Sequence, residues 1–79
     1  MDMTPQQCRM ARAALEWSQQ QLADAAAVRQ TTVSDYERGG DARRSTVQKL
    51  RAAMEQAGVV FVGAGEVSMS GGAGVRAGN

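Results

Sequence analysis

Two helix starts are written out in full near the beginning of the chain: "TPQQ" at 4–7 and "SQQQ" at 18–21. Each sets a hydroxyl residue three positions ahead of a glutamine. The hydroxyl can accept from the third helical N–H while the glutamine amide reaches back to the cap, which satisfies two backbone groups that a helix end otherwise leaves orphaned. Pro5 strengthens the first start, because its fixed φ suits the first helical position and it has no N–H to lose. Met3 and Cys8 stand where a hydrophobic staple would close around it. Starts this close allow only about three helical turns between them. The chain must therefore fold as short helices packed on one another.

The apolar spacing agrees. Cys8, Ala11 and Leu15 recur at helical intervals and define a first helix from about Pro5 to Glu16 with these residues inward. Leu22, Ala23 and Ala26 mark the buried side of a short second helix from Ser18, whose alanines let a neighbour approach closely. Val33 and Tyr36, with Gly39 as a stop, give a third over roughly Gln30 to Arg38. Ser45 is the predicted cap of a fourth, with Val47, Leu50, Met54 and Ala57 on one stripe and Gly58 at its end. Past Ala57 the composition shifts, since seven of the nine glycines lie between 58 and 79. One or two short strands are expected at Val59 to Val62 and near Val67 to Met69, then a Gly-rich end that moves freely unless a partner orders it. The chain thus divides into a helical unit at 1–57 and a tail at 58–79.

Other classes are disfavoured by what the 79 residues contain. A single cysteine gives no disulfide framework, and the absence of histidine removes the usual acid/base group and metal ligand, so neither metal nor cofactor is expected. Cys8 fits the core better than a nucleophilic role, having no paired base in its neighbourhood. There is no paired-carboxylate site, and "GAGEVSMSGG" lacks the Lys-Ser/Thr ending of a phosphate-binding loop, so the chain is not read as an enzyme. No signal-peptide pattern opens the chain and its longest strongly apolar run, "VVFV", is far short of a membrane span, which leads to the expectation of a cytoplasmic protein with no membrane partner. The formal charge of +1 conceals an asymmetry: Arg29, Arg38, Arg43, Arg44, Lys49 and Arg51 face only Asp35, Glu37 and Asp41 between positions 29 and 51. That segment is +3 and the remainder −2, a local patch of the kind that meets a polyanion.

The order Ser18, Gln19, Leu22, Ala23, Val28, Val33, Glu37, Gly39 resembles a Cro/repressor-type helix-turn-helix domain of the Xre superfamily, in which S-Q-x-x-L-A opens the first motif helix and hydrophobe-S-x-x-E-x-G closes the second. The resemblance spans about Thr4 to Ala57. It implies a mainly α, four-helix fold, here with a short C-terminal β appendage, and a sequence-specific transcriptional regulator of double-stranded DNA, a repressor of phage or bacterial type. It places helix three in the major groove, which is wide enough to admit it. Gln19 and its backbone N–H would hold a phosphate, helped by the helix dipole. Gln30 and Thr31 fall where such proteins touch base edges, and Gln can pair bidentately with adenine. Arg29 can fork onto guanine or clamp phosphate, and Ser34 and Asp35 continue the outward face. Asp35 can accept from cytosine N4, tune specificity by repulsion near phosphates or pair with a nearby arginine, and Thr32 can bond phosphate or its own helix backbone. Arg38, Arg43 and Arg44, on or beside the loop that follows, suit the sugar-phosphate backbone.

The resemblance further implies that Arg12 and Glu37 form a largely buried ion pair, and Trp17 is read as core. Two positions depart from the pattern: Ala27 stands in place of the usual turn glycine, and Arg29 in place of the usual Ser/Thr cap. A helix-turn-helix alone covers few base pairs, so a homodimer is expected, with the tail as its interface. Val59 and Phe61 would face one side of a strand and Val60 and Val62 the other, with both sides covered and the edge paired with the second subunit. The alternative is an antitoxin or adaptor module whose tail binds a protein partner.

Overall fold

The protein is described from a computed structural model over residues 3–63 and 65–69. The predicted helices appear as α1 (Pro5–Leu15), α2 (Gln19–Ala26), α3 (Gln30–Glu37) and α4 (Arg44–Gln56), followed by β1 (Val59–Val62) and β2 (Glu66–Met69). Both capping boxes are formed, Thr4 with Gln7 and Ser18 with Gln21. The fourth start differs from the expectation. Arg43, not Ser45, is the N-cap of α4, and it makes no side-chain cap hydrogen bond. Arg43, Arg44 and Ser45 are all exposed, so water can serve the first N–H groups and no capping side chain is needed to fix the start. Ala57 likewise leaves the predicted stripe: it caps the C-terminus of α4 and is exposed.

The turns after α1 and α2 are built alike. Trp17 N–H donates to Arg12 O (2.9 Å) and Glu16 N–H to Ala13 O (3.1 Å); Val28 N–H donates to Ala23 O (3.0 Å) and Ala27 N–H to Asp24 O (3.3 Å). This crossed pair is the Schellman arrangement, which requires a left-handed residue and usually finds glycine there. Here the positions are held by Glu16 at φ 59° and Ala27 at φ 60°.

One core joins all the elements. Cys8, Leu22, Val33, Leu50 and Met54 are fully buried, α2 packs on α3 and α4, and Tyr36 donates its hydroxyl to Met3 O (2.6 Å), holding the segment before α1 against α3. β1 and β2 pair antiparallel, from Val59 opposite Met69 to Val62 opposite Glu66. Just before β2, Gly65 sits at φ 85° with its N–H on Val62 O (3.2 Å), a left-handed conformation that favours glycine. The hairpin lies chiefly on α1 and α4. Val59 is 3% exposed and belongs to the helical core, while Phe61, Val67 and Met69 are half-buried against it. Buried Gln7 fastens the hairpin a second time, donating from Nε2 to Val62 O (2.9 Å) and Glu66 O (3.1 Å). Among the described residues this inner side of β1 is the covered one, and Val60 and Val62 are exposed on the other. The Gly-rich end expected beyond these strands, residues 70–79, lies outside the described residues.

Candidate nucleic-acid interface

α2, the Ala27 turn and α3 form the unit on which the candidate residues sit. Ser18 fixes the start of α2, so that Gln19 occupies its first position. The left-handed Ala27 then turns the chain sharply enough for α3 to begin at Gln30 and return across α2. Val33 and Tyr36 are buried and hold α3 by its inner side. The opposite side carries Arg29, Thr31 and Asp35, all exposed, with Gln30, Thr32 and Ser34 half-buried between them and the core. Arg29 caps α3 through backbone geometry alone, its carbonyl accepting from Thr32 N–H (3.0 Å).

Beyond α3 the chain turns at Gly39 and Gly40. Gly40 N–H donates to Asp35 O (2.9 Å), and a Cβ on Gly40 would lie 2.9 Å from that same oxygen, so no larger residue fits without a backbone shift. The turn brings Arg38, Arg43 and Arg44 out as exposed side chains. Arg38 bridges to Asp35 one turn back, both largely exposed. Pairing with a neighbouring arginine, one of the roles open to Asp35, is thus formed in the free chain. Arg43 and Arg44 sit at the N-terminus of α4, whose first turn holds no acidic residue, so the positive helix end and the two guanidinium groups add.

Beneath this surface is a single buried carboxylate. Glu37, its side chain 3% exposed, receives Arg12 Nε on Oε2 and Arg12 Nη2 on Oε1, both at 2.8 Å. Arg12 also donates from Nη1 to Trp17 O (3.0 Å), and Trp17 is half-buried against the core. The Cys8 thiol donates to Glu37 Oε2 (3.2 Å). Burial by itself would push the Glu37 carboxyl up, but the hydrogen bonds from Arg12, Gln19 and Cys8 outweigh it and hold the group below the usual carboxylate range. Burial, and next the carboxylate beside it, pushes the Cys8 thiol far up, which leaves it a neutral donor. The C-terminal carbonyl of α3 is engaged too, since Arg9 donates to Glu37 O.

The Gln19 side chain links two others. Its amide nitrogen donates to Glu37 Oε1 (3.1 Å), and its amide oxygen accepts from Gln30 Nε2 (2.9 Å). The tie between the first residues of α2 and α3 had no signature in the sequence, because the two glutamines belong to different helices and local periodicity says nothing of them together.

The sequence model of the family described as helix-turn-helix, of Xre/Cro type, matches residues 9–57. The chain belongs to this helix-turn-helix family. The match takes in α2, the turn and α3 entire, and extends over most of α1 and all of α4. The family is a DNA-binding regulatory one, and this helix-turn-helix protein is a DNA-binding transcription regulator. Among the curated proteins none matches the chain. Among the described residues no helix is long and apolar enough to cross a membrane.

Proposed function

We propose that the chain is a sequence-specific transcriptional repressor of phage or bacterial type that binds DNA as a homodimer, with α3 in the major groove of each half-site. The observation that carries this is the outward face of α3. Gln30, Thr31 and Ser34 offer neutral donors and acceptors suited to base edges, and on either side stand arginines suited to phosphate: Arg29 before the helix, Arg38, Arg43 and Arg44 after it. Thr32, half-buried beside them, and the first N–H groups of α2 at Gln19 complete the backbone contacts. Residues 1–57 form the DNA-binding unit, and 58–79 the dimerisation element, with Val59 and Phe61 joined to the core and Val60 and Val62 turned to the second copy. The exposed valines also support a second reading, in which the tail docks an unrelated protein as antitoxins and adaptors do.

Selection of bound duplexes from a random library tests the first reading directly. A palindromic preferred site is expected, its half-sites about one helical turn apart. Gln30→Ala should then cost about 1–3 kcal/mol on that site and relax preference at one base pair of each half. Recovery of duplexes with no common sequence would overturn the proposal.

A further inference from the structure

Among the described residues of α3, Asp35 alone presents a negative charge outward, one turn beyond Thr31 on the same stripe, while Glu37 is buried. A carboxylate there works against a polyanion unless something neutralises it. Arg38 does so in the free chain. The backbone beneath the pair is fixed, because Gly40 N–H donates to Asp35 O (2.9 Å) and Arg38 N–H reaches Ser34 O and Asp35 O (both 3.2 Å). Only the two side chains can part. Both are largely exposed, so the pair is weak and a phosphate can compete for the guanidinium. Once Arg38 goes to phosphate, Asp35 needs another donor. In the major groove guanine shows it two acceptors, thymine an acceptor and a methyl group, and adenine an acceptor beside its donor, whereas cytosine offers the N4–H donor alone.

We propose that Asp35 is a specificity-determining residue that works by exclusion, with Arg38 as its counter-ion: Arg38 transfers to the DNA backbone only on half-sites that give Asp35 a cytosine. This rests on the role given to α3 above. On any other base pair Arg38 stays with the carboxylate, and one phosphate contact is lost. The pair thereby makes a phosphate contact, which by itself carries no sequence information, depend on one base. A solvated surface pair, the plainer role for two exposed charges, has no such dependence.

Asp35→Ala and Arg38→Ala in the full-length chain separate the two. The probes are the duplex that the wild-type chain selects from a random library and its single-base-pair variants, titrated at several salt concentrations. Wild type is expected to prefer cytosine at one position of each half-site. Asp35→Ala should bind the duplexes altered there several-fold more tightly than wild type does, and lose roughly tenfold of discrimination at that pair with preference elsewhere unchanged. Damage to the fold, or loss of a merely attractive contact, gives no gain on the wrong duplexes. Arg38→Ala should make the slope of log K against log salt shallower by about 0.9 per half-site on the selected duplex, and leave it unaltered where the cytosine pair is replaced. Asp35→Asn, which keeps the shape and drops the charge, carries the same gain on altered duplexes should the alanine variant fail to show a cooperative melt. An equal change on every duplex in either direction, no change on any, or a loss of discrimination at a pair without cytosine would overturn the inference while leaving the reading of α3 intact. A wild-type chain with no preferred site would overturn both.

Discussion

At the scale of single residues, Glu37 concentrates the consequences. Its folded-state carboxyl is depressed, so the stability it contributes is fully present above its ordinary value of about 4.3 and is lost as pH falls through the lower, folded one. Glu37→Gln should therefore flatten the acid limb of a plot of unfolding free energy against pH below about 5. Arg12→Ala, which strands the carboxylate at 3% exposure, should cost about 3–5 kcal/mol near neutral pH. Denaturant titrations of both variants across that range check the pair of outcomes, and melts that coincide with wild type would refute them. The types at these two positions could be picked out by resemblance, since Arg12 and Glu37 stand at motif positions. Their neighbours could not. Cys8 reads as one more apolar core position, yet its thiol is a hydrogen-bond donor to Glu37; Gln7 reads as half of a capping box, yet its Nε2 also holds the hairpin across 55 and 59 residues of sequence. Such contacts depend on which elements meet, and residue spacing within one helix is silent about that.

At the scale of elements, the helices were legible where side chains enforce them and less so where backbone alone does. Thr4 and Ser18 are recognisable caps because their hydroxyls bond the chain locally. Arg29 and Arg43 are caps by backbone geometry only; Arg29 was placed through the family pattern, while Arg43 left no mark on the sequence and the nearest hydroxyl, Ser45, drew the predicted start of α4 too late. The departure at Ala27 was visible because a glycine is usual there, but its counterpart at Glu16 was not, though both adopt the same left-handed conformation. Two expected outcomes follow from this strain and from the uncapped end. Ala27→Gly relieves a left-handed Cβ at some cost in chain entropy and should stabilise the fold by about 1 kcal/mol, raising the melting temperature by about 4–8 °C. Arg43→Ser supplies the missing cap of α4 while deleting a guanidinium from its positive end. Stability should rise by up to about 1 kcal/mol as DNA affinity falls on all sequences alike, with the slope of log K against log salt shallower by about 0.9. A variant that loses stability and affinity together would show that Arg43 serves the fold instead of the phosphate backbone.

At the scale of the whole molecule, the hairpin's position decides how a dimer can be tested. Deleting it would be uninformative, because Val59 is part of the helical core and the buried Gln7 amide would lose both of its carbonyl partners on the hairpin. The outer side offers a cleaner cut. Val60 and Val62, 44% and 38% exposed, are the exposed large hydrophobics among the described residues, and they share a face with Ser68 and Glu66 on β2. β1 carries no charge, proline or bulge of the kind that keeps an edge strand from pairing with another chain. The hairpin rests chiefly on α1 and α4, so in the proposed complex this face would stay open with α3 in a groove, as a two-fold assembly on adjacent half-sites requires. Two valines are far too little for a stable interface, which needs about 1,000 Å² or more in total, so the proposed dimer would have to pair its β1 edges as well as its faces. Lysine at these positions opposes both: it sets like charges against one another across the two-fold axis and leaves the inner side of the strand untouched. Val60→Lys with Val62→Lys should thus melt within a few degrees of wild type, sediment as a monomer where wild type is a dimer, and bind a two-half-site duplex at least tenfold more weakly. Its affinity for a single half-site should be unchanged or slightly raised by the added charge. A double variant that still sediments as a dimer would place the interface elsewhere on the molecule.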